Sequence, residues 1–133
     1  MPFSSHPADL HIASHIRLAC EDMRAAYALY KAGNRYTAFY LEQAVEKWML
    51  AVLVAENVHV SISESHRLDV LLDKTPLENP LHDGFQDLTH LSVHAMSARY
   101  AKTGGRLSPR SISMRSLNSR RPLKYDPTYC RSF

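Results

Sequence analysis

Residues 35–57 read RYTAFYLEQAVEKWMLAVLVAEN, and this stretch decides the fold. Tyr36, Phe39, Tyr40, Ala44, Trp48, Leu50, Val52 and Leu53 recur at helical spacing and cover nearly the whole circumference, the pattern of a helix enclosed by neighbours. Its polar positions are confined to Glu42, Gln43, Glu46 and Lys47, with Glu56 at the end, and the pairs Glu42/Glu46 and Gln43/Lys47 each share a face. A helix of this kind belongs in the middle of a helical fold.

Upstream, Ile12, Ile16, Ala19, Met23, Ala26, Tyr27 and Tyr30 recur every three or four positions, so Asp9 to Ala32 is expected to form an amphipathic helix. Asp9 is placed to cap it, Gly33 to end it, and Asn34 to start the next. Downstream, residues 58–64 mix β-branched and polar residues without a partner strand and read as a connection. A short helix capped by Ser63 or Ser65 follows over His66 to Lys74, buried through Leu68, Leu71 and Leu72. Beyond Pro76 and Pro80, the set Leu81, Phe85, Leu88, Leu91, Ala95 and Ala98 predicts a last long helix to about Lys102, stopped by Thr103-Gly104-Gly105. Short connections favour antiparallel neighbours, so the expected fold is all-α, an up-and-down bundle of four to five helices.

At 133 residues the chain suits one domain, which would bury roughly two-thirds of the surface its unfolded form exposes. The longest uninterrupted apolar run, Trp48 to Ala55, is too short to cross a bilayer, and residues 1–6 lack the basic start and apolar region of a secretory signal. A cytoplasmic protein without membrane attachment is therefore expected. Cys20 lies in a helical pattern and Cys130 in the tail, which makes neither a disulfide framework nor a zinc motif.

Charge is split unevenly along the chain. Residues 1–101 hold eight Lys/Arg against twelve Asp/Glu, and residues 102–133 hold eight Lys/Arg against one Asp. The tail, rich in Ser, Arg and Pro, is expected to be irregular, and it is the part from which nucleic-acid affinity by counterion release would come. All eight histidines precede residue 95. His11/His15 and His90/His94 are each spaced by four, as paired metal ligands are, but no Glu-x-x-His spacing accompanies them, so neither a metal nor a cofactor is expected.

The order Gln43-Ala44-Val45-Glu46-Lys47, then Ser65-His66-Arg67-Leu68, then Ala98-Arg99-Tyr100 resembles the HEPN family. In that family a Q-A-x-E-K helix is followed by an S/T-H-x-L element and an A-R-Y element closing the last long helix. The resemblance implies a HEPN-like helical bundle over residues 8–103, with a basic tail at 104–133. It also implies a nucleotide-associated interaction module that pairs with a minimal nucleotidyltransferase in a toxin–antitoxin-like or regulatory unit. Two departures stand out. Tyr100 is followed by Ala101-Lys102 where relatives often have Pro-Asp, and none of Arg17, Arg24, Arg35, Arg67 and Arg99 has the histidine five to seven positions later that RNase-active members carry.

Gln43, Glu46, Lys47, His66, Arg99 and Tyr100 are the candidate ligand-binding residues. On the functional reading Lys47 and Arg99 meet phosphate and Tyr100 stacks on a base. On the structural reading the same groups satisfy one another, with Glu46 pairing to Lys47, His66 or Arg99. Catalytic residues are unknown, with His66 and Arg99 as candidates for a metal-independent endoribonuclease whose active groups have been relocated. A dimeric small-ligand scaffold is the other alternative. The density of Tyr27, Tyr30, Tyr36, Phe39, Tyr40 and Trp48 predicts a homodimer through the first or last long helix.

Overall fold

The computed structural model describes residues 6–99 and is all-helical, with no strand among the described residues. Five helices follow in order: α1 Pro7–Lys31, α2 Thr37–Ala55, α3 Leu68–Lys74, α4 His82–Gln86 and α5 Leu91–Arg99. Tyr100 and the basic tail lie outside the described residues. No helix of the described residues is long and apolar enough to cross a membrane.

Both long helices stop by the same device. At the end of α1, Gly33 adopts φ +63, its N–H donates to Tyr30 O, and the N–H of Asn34 reaches back to Leu29 O. At the end of α2, Asn57 takes the left-handed position at φ 56, its N–H donates to Val54 O, and the N–H of Val58 reaches Leu53 O. These paired bonds are Schellman motifs; they satisfy carbonyls that a helix end otherwise leaves without partners. Val58 then packs against the core that holds Leu53, the apolar contact that accompanies such a stop.

Helix starts differ from the sequence expectation. α1 begins at Pro7, with the His6 ring accepting from Ala8 N; Asp9 therefore lies inside the first turn, where its charge complements the helix dipole. Asn34 does not cap α2 at Arg35. Its Oδ1 accepts from Tyr36 N, its carbonyl accepts from Thr37, and α2 begins at Thr37. α3 starts at Leu68 rather than His66, because Ser65 spends its hydroxyl on Ile62 O and Glu64 folds the preceding turn. The last long helix is divided into α4 and α5. Between them Thr89 turns its hydroxyl back to Gln86 O, and the N–H groups of Leu88, Thr89, Leu91, Ser92 and Val93 bond three residues back, which breaks the α ladder.

α2 is the central element, packed against α1, α3 and α5. Asp22 and Lys47 pair across α1 and α2 at matching distances from the turn at residues 32–36, so the two helices form an antiparallel hairpin. Met49, Leu53, Leu68, Leu71 and Leu91 are wholly enclosed, joined by Val45 and Phe85. Cys20 is buried, as expected of a small core residue. Tyr27, Tyr30 and Leu81, expected on core faces, and Tyr36 and Trp48, expected in the enclosed pattern of α2, are exposed instead. The small Ala19 and Ala26 form the buried line of α1, and a close helix approach over such residues leaves the larger rings at the margin.

Candidate functional site

Glu46 sits in the middle of α2 with its side chain 6% exposed, and Nδ1 of His66 lies 3.1 Å from its Oε1. Because α3 begins two residues later, His66 belongs to the connection, and its imidazole remains 70% exposed. One turn earlier on α2, Glu42 is also buried and bonds Ser92 of α5. Two carboxylates on one face of α2 thus meet the connection and the last helix. Burial pushes both carboxyls above the usual carboxylate range; His66 opposes this at Glu46, while Ser92 and then Arg99 and His66 oppose it at Glu42.

Arg99 lies within electrostatic reach of Glu42, and its guanidinium stacks over the Phe39 ring with 5.0 Å from Cζ to the centroid. Lys47 points to the other side of α2, where it pairs with Asp22 of α1 in a half-buried contact. Gln43 is half-buried between these two faces. The structure therefore unites Glu46 with His66, brings Arg99 to the neighbouring Glu42, and pairs Lys47 with Asp22 while keeping it within electrostatic reach of Glu46. Tyr100 lies outside the described residues.

The connection itself is held by Glu64, which accepts from the N–H and hydroxyl of Ser61 and pairs with Lys74 of α3 at 3.0 Å. The Ser61 N–H, then Lys74 and the Ser61 hydroxyl, bring the Glu64 carboxyl down to about 2. Lys74 also donates to His59 O, and Asn79 bonds Glu56, so residues 56–79 are tied to the end of α2. This tethering fixes the height of His66 along α2.

A cavity of about 570 Å³ opens at the other end of α2, between the end of α1, the start of α2 and Arg99. Ala25, Ala28 and Leu29 form one wall and Tyr36, Phe39 and Tyr40 the other. Phe39 and Tyr40 meet edge-on at 5.2 Å. The sequence reading missed this cavity, although the rings were visible as an aromatic cluster, because burial and rim exposure look alike in a periodic pattern.

No family model, no curated protein and no solved structure matches the chain. The site is therefore read from its own geometry. The histidine pairs do face each other, His11 and His15 at 4.6 Å and His90 and His94 at 5.8 Å between ring centroids. Among the described residues, however, no group of three or more His, Cys, Asp or Glu could hold a metal ion.

Proposed function

We propose that this chain is a HEPN-type, nucleotide-associated binding and interaction module, its residues 8–103 forming an up-and-down bundle followed by the basic tail at 104–133. In this reading it partners a minimal nucleotidyltransferase in a toxin–antitoxin-like or regulatory pair and works in the cytoplasm. The observation that supports it most is the Glu46–His66 bond. The Q-A-V-E-K and S-H-R-L elements are separate in sequence, and a bond between their two most polar members gives both a shared reason to exist. Arg99, of the third element, approaches Glu42 one turn away. A homodimer suits the same reading: Leu18, Tyr27 and Tyr30 leave apolar surface on α1, which among the described helices packs chiefly against α2.

The test is coexpression of the full chain with a minimal nucleotidyltransferase from the same source, followed by affinity purification and light scattering. The expected result is a stable complex containing two copies of this chain. Recovery of the chain alone, as a monomer at micromolar concentration, rejects the reading.

One observation favours a second reading, an endoribonuclease with relocated catalytic groups. A buried carboxylate on Nδ1 and an exposed remainder of the ring are what an imidazole base requires to face a substrate hydroxyl. Cleavage of RNA by the purified protein, abolished in His66→Ala and in Arg99→Gln, supports this alternative; absence of cleavage removes it.

A further inference from the structure

The described part of the chain is acidic, yet one region inverts that balance. From Met23 to Leu41 the sequence holds Arg24, Lys31 and Arg35 and no Asp or Glu, and the same stretch holds Tyr27, Tyr30, Tyr36, Phe39 and Tyr40. The fold makes this stretch the tip of the α1–α2 hairpin, and α5 adds Arg99 to it. Cations and rings are interleaved here in space as well as in sequence. Lys31 lies over Tyr27 at 4.8 Å, Arg99 lies over Phe39, and Tyr36, which lines the cavity, is 44% exposed.

We propose that this tip binds a nucleobase together with its phosphate, either within a single-stranded nucleic acid or as a free nucleotide. A cavity of about 570 Å³ falls within the range of small-ligand sites, typically about 300–1,000 Å³. Its walls are aromatic or small, so a flat ring can lie between Ala25/Ala28 and Tyr36/Tyr40 and gain stacking without needing a particular base edge. Among the described residues that line it, Arg99 carries the charge and none is a carboxylate, and the guanidinium suits a phosphate oxygen pair. An acidic ligand approaching this molecule is repelled by most of the described surface and attracted here. The inference rests on the nucleotide-associated part of the proposed function. It owes nothing to the Glu46–His66 bond, which lies farther along α2, and it assigns affinity to the helical body rather than to the tail alone.

The test uses the full chain, with a fluorescently labelled ten-nucleotide single-stranded RNA and, separately, adenosine 5′-monophosphate as probes, over a series of salt concentrations. The variants are Tyr36→Ala and Arg99→Gln, both at exposed positions, and His66→Ala as the contrast. Circular dichroism establishes that each is folded. Tyr36→Ala is expected to weaken RNA binding about five-fold or more, the loss of one base stack. Arg99→Gln is expected to weaken it and to lower the slope of log affinity against log salt by about 0.7, the loss of one phosphate contact on a single strand. Competition by the mononucleotide supports a free nucleotide as ligand; RNA binding without competition supports the polymer. Unchanged affinity in both tip variants overturns the proposal, and if His66→Ala alone weakens binding, nucleotide association stands but at the other site. No binding of either probe rejects both.

Discussion

Nδ1 of His66 stands 3.1 Å from Oε1 of Glu46, an exposed imidazole bonded to a carboxylate that is almost wholly enclosed. The two partners contribute unequally. Removing the imidazole leaves a buried acceptor without its donor, whereas replacing the carboxylate by an amide keeps an acceptor and removes a buried charge. His66→Ala is therefore expected to destabilise the fold by about 1 kcal/mol, the low end for a lost partner because the ring is largely in water. Glu46→Gln is expected to be neutral or slightly stabilising at pH 7. Urea denaturation of both variants checks this, and a larger loss in Glu46→Gln than in His66→Ala contradicts the assignment of the burial cost to the carboxylate.

Glu42 and Glu46 also make a pH prediction. Burial raises both carboxyls above 4.5, so the folded chain holds these protons at a pH where the unfolded chain has released them. The stability they contribute is complete below 4.5 and is lost as pH rises through their folded values. Glu64 and Asp69 act in the opposite sense. Ser61 and Lys74 lower Glu64 to about 2, and Arg67 lowers Asp69, so their contribution is present at neutral pH and lost in acid. Glu42→Gln with Glu46→Gln is expected to steepen the fall in stability between pH 6 and pH 3, measured as the urea midpoint at each pH.

The helices were legible because their evidence is local. Gly33, the burial of Ala44 and Leu53, and the connection at residues 58–64 all follow from spacing and turn chemistry, and the structure agrees with each, whereas Tyr36 and Trp48 of the same enclosed pattern are exposed. What resisted was the set of properties that depend on neighbours. The division between α4 and α5 turns on where Thr89 sends its hydroxyl, which no periodicity registers. Glu42 read as part of the polar stripe of α2 with no partner assigned, yet it is buried like Glu46, whose internal pairing was one of the two sequence readings, because the connection and α5 cover that stripe. Of the three partners the sequence offered Glu46, His66 bonds it, while Lys47, about 100° further round the helix, pairs with Asp22 and reaches Glu46 only through its charge. Asp22 itself carried no signal beyond being one acid in an amphipathic helix.

The Asp22–Lys47 contact ties the two longest helices together with both side chains mostly covered, at 18% and 21% exposure. Such a pair lies between surface pairs worth less than 1 kcal/mol and fully buried ones. A double-mutant cycle with Asp22→Asn and Lys47→Met is expected to give a coupling of about 1–2 kcal/mol at low salt. A coupling indistinguishable from zero would falsify the view that this pair sets the register of the hairpin.

Gly33 has φ +63, and nothing lies within 4 Å of the place where a Cβ would stand. Substitution by alanine therefore costs only the backbone preference, about 1 kcal/mol, with no clash added. Asn57 occupies the equivalent position after α2 at φ 56, and asparagine tolerates that region better than alanine does. Gly33→Ala and Asn57→Ala are expected to lower stability, with Gly33→Ala the more costly. Equal stability of Gly33→Ala and the parent would mean that the turn at residues 32–36 can be rebuilt without its left-handed residue.

His15 lies beside this same seam, and burial, then His11, then Lys47 lower its imidazole below 6.5. In the unfolded chain the ring binds a proton more readily than in the fold, so acidification favours unfolding. Its contribution is complete above 6.5 and declines as pH falls through the lower folded value. The groups around it explain the direction: His11 stacks at 4.6 Å on the preceding turn, and Lys47 brings a positive charge across from α2, with Asp22 engaged by that lysine. His15→Gln keeps a polar group of similar size and cannot titrate. The variant is expected to lose less stability than the parent between pH 8 and pH 5, and chemical denaturation at those two values measures the difference. An equal loss in both chains would place the acid sensitivity elsewhere, among Glu64, Asp69 and their partners.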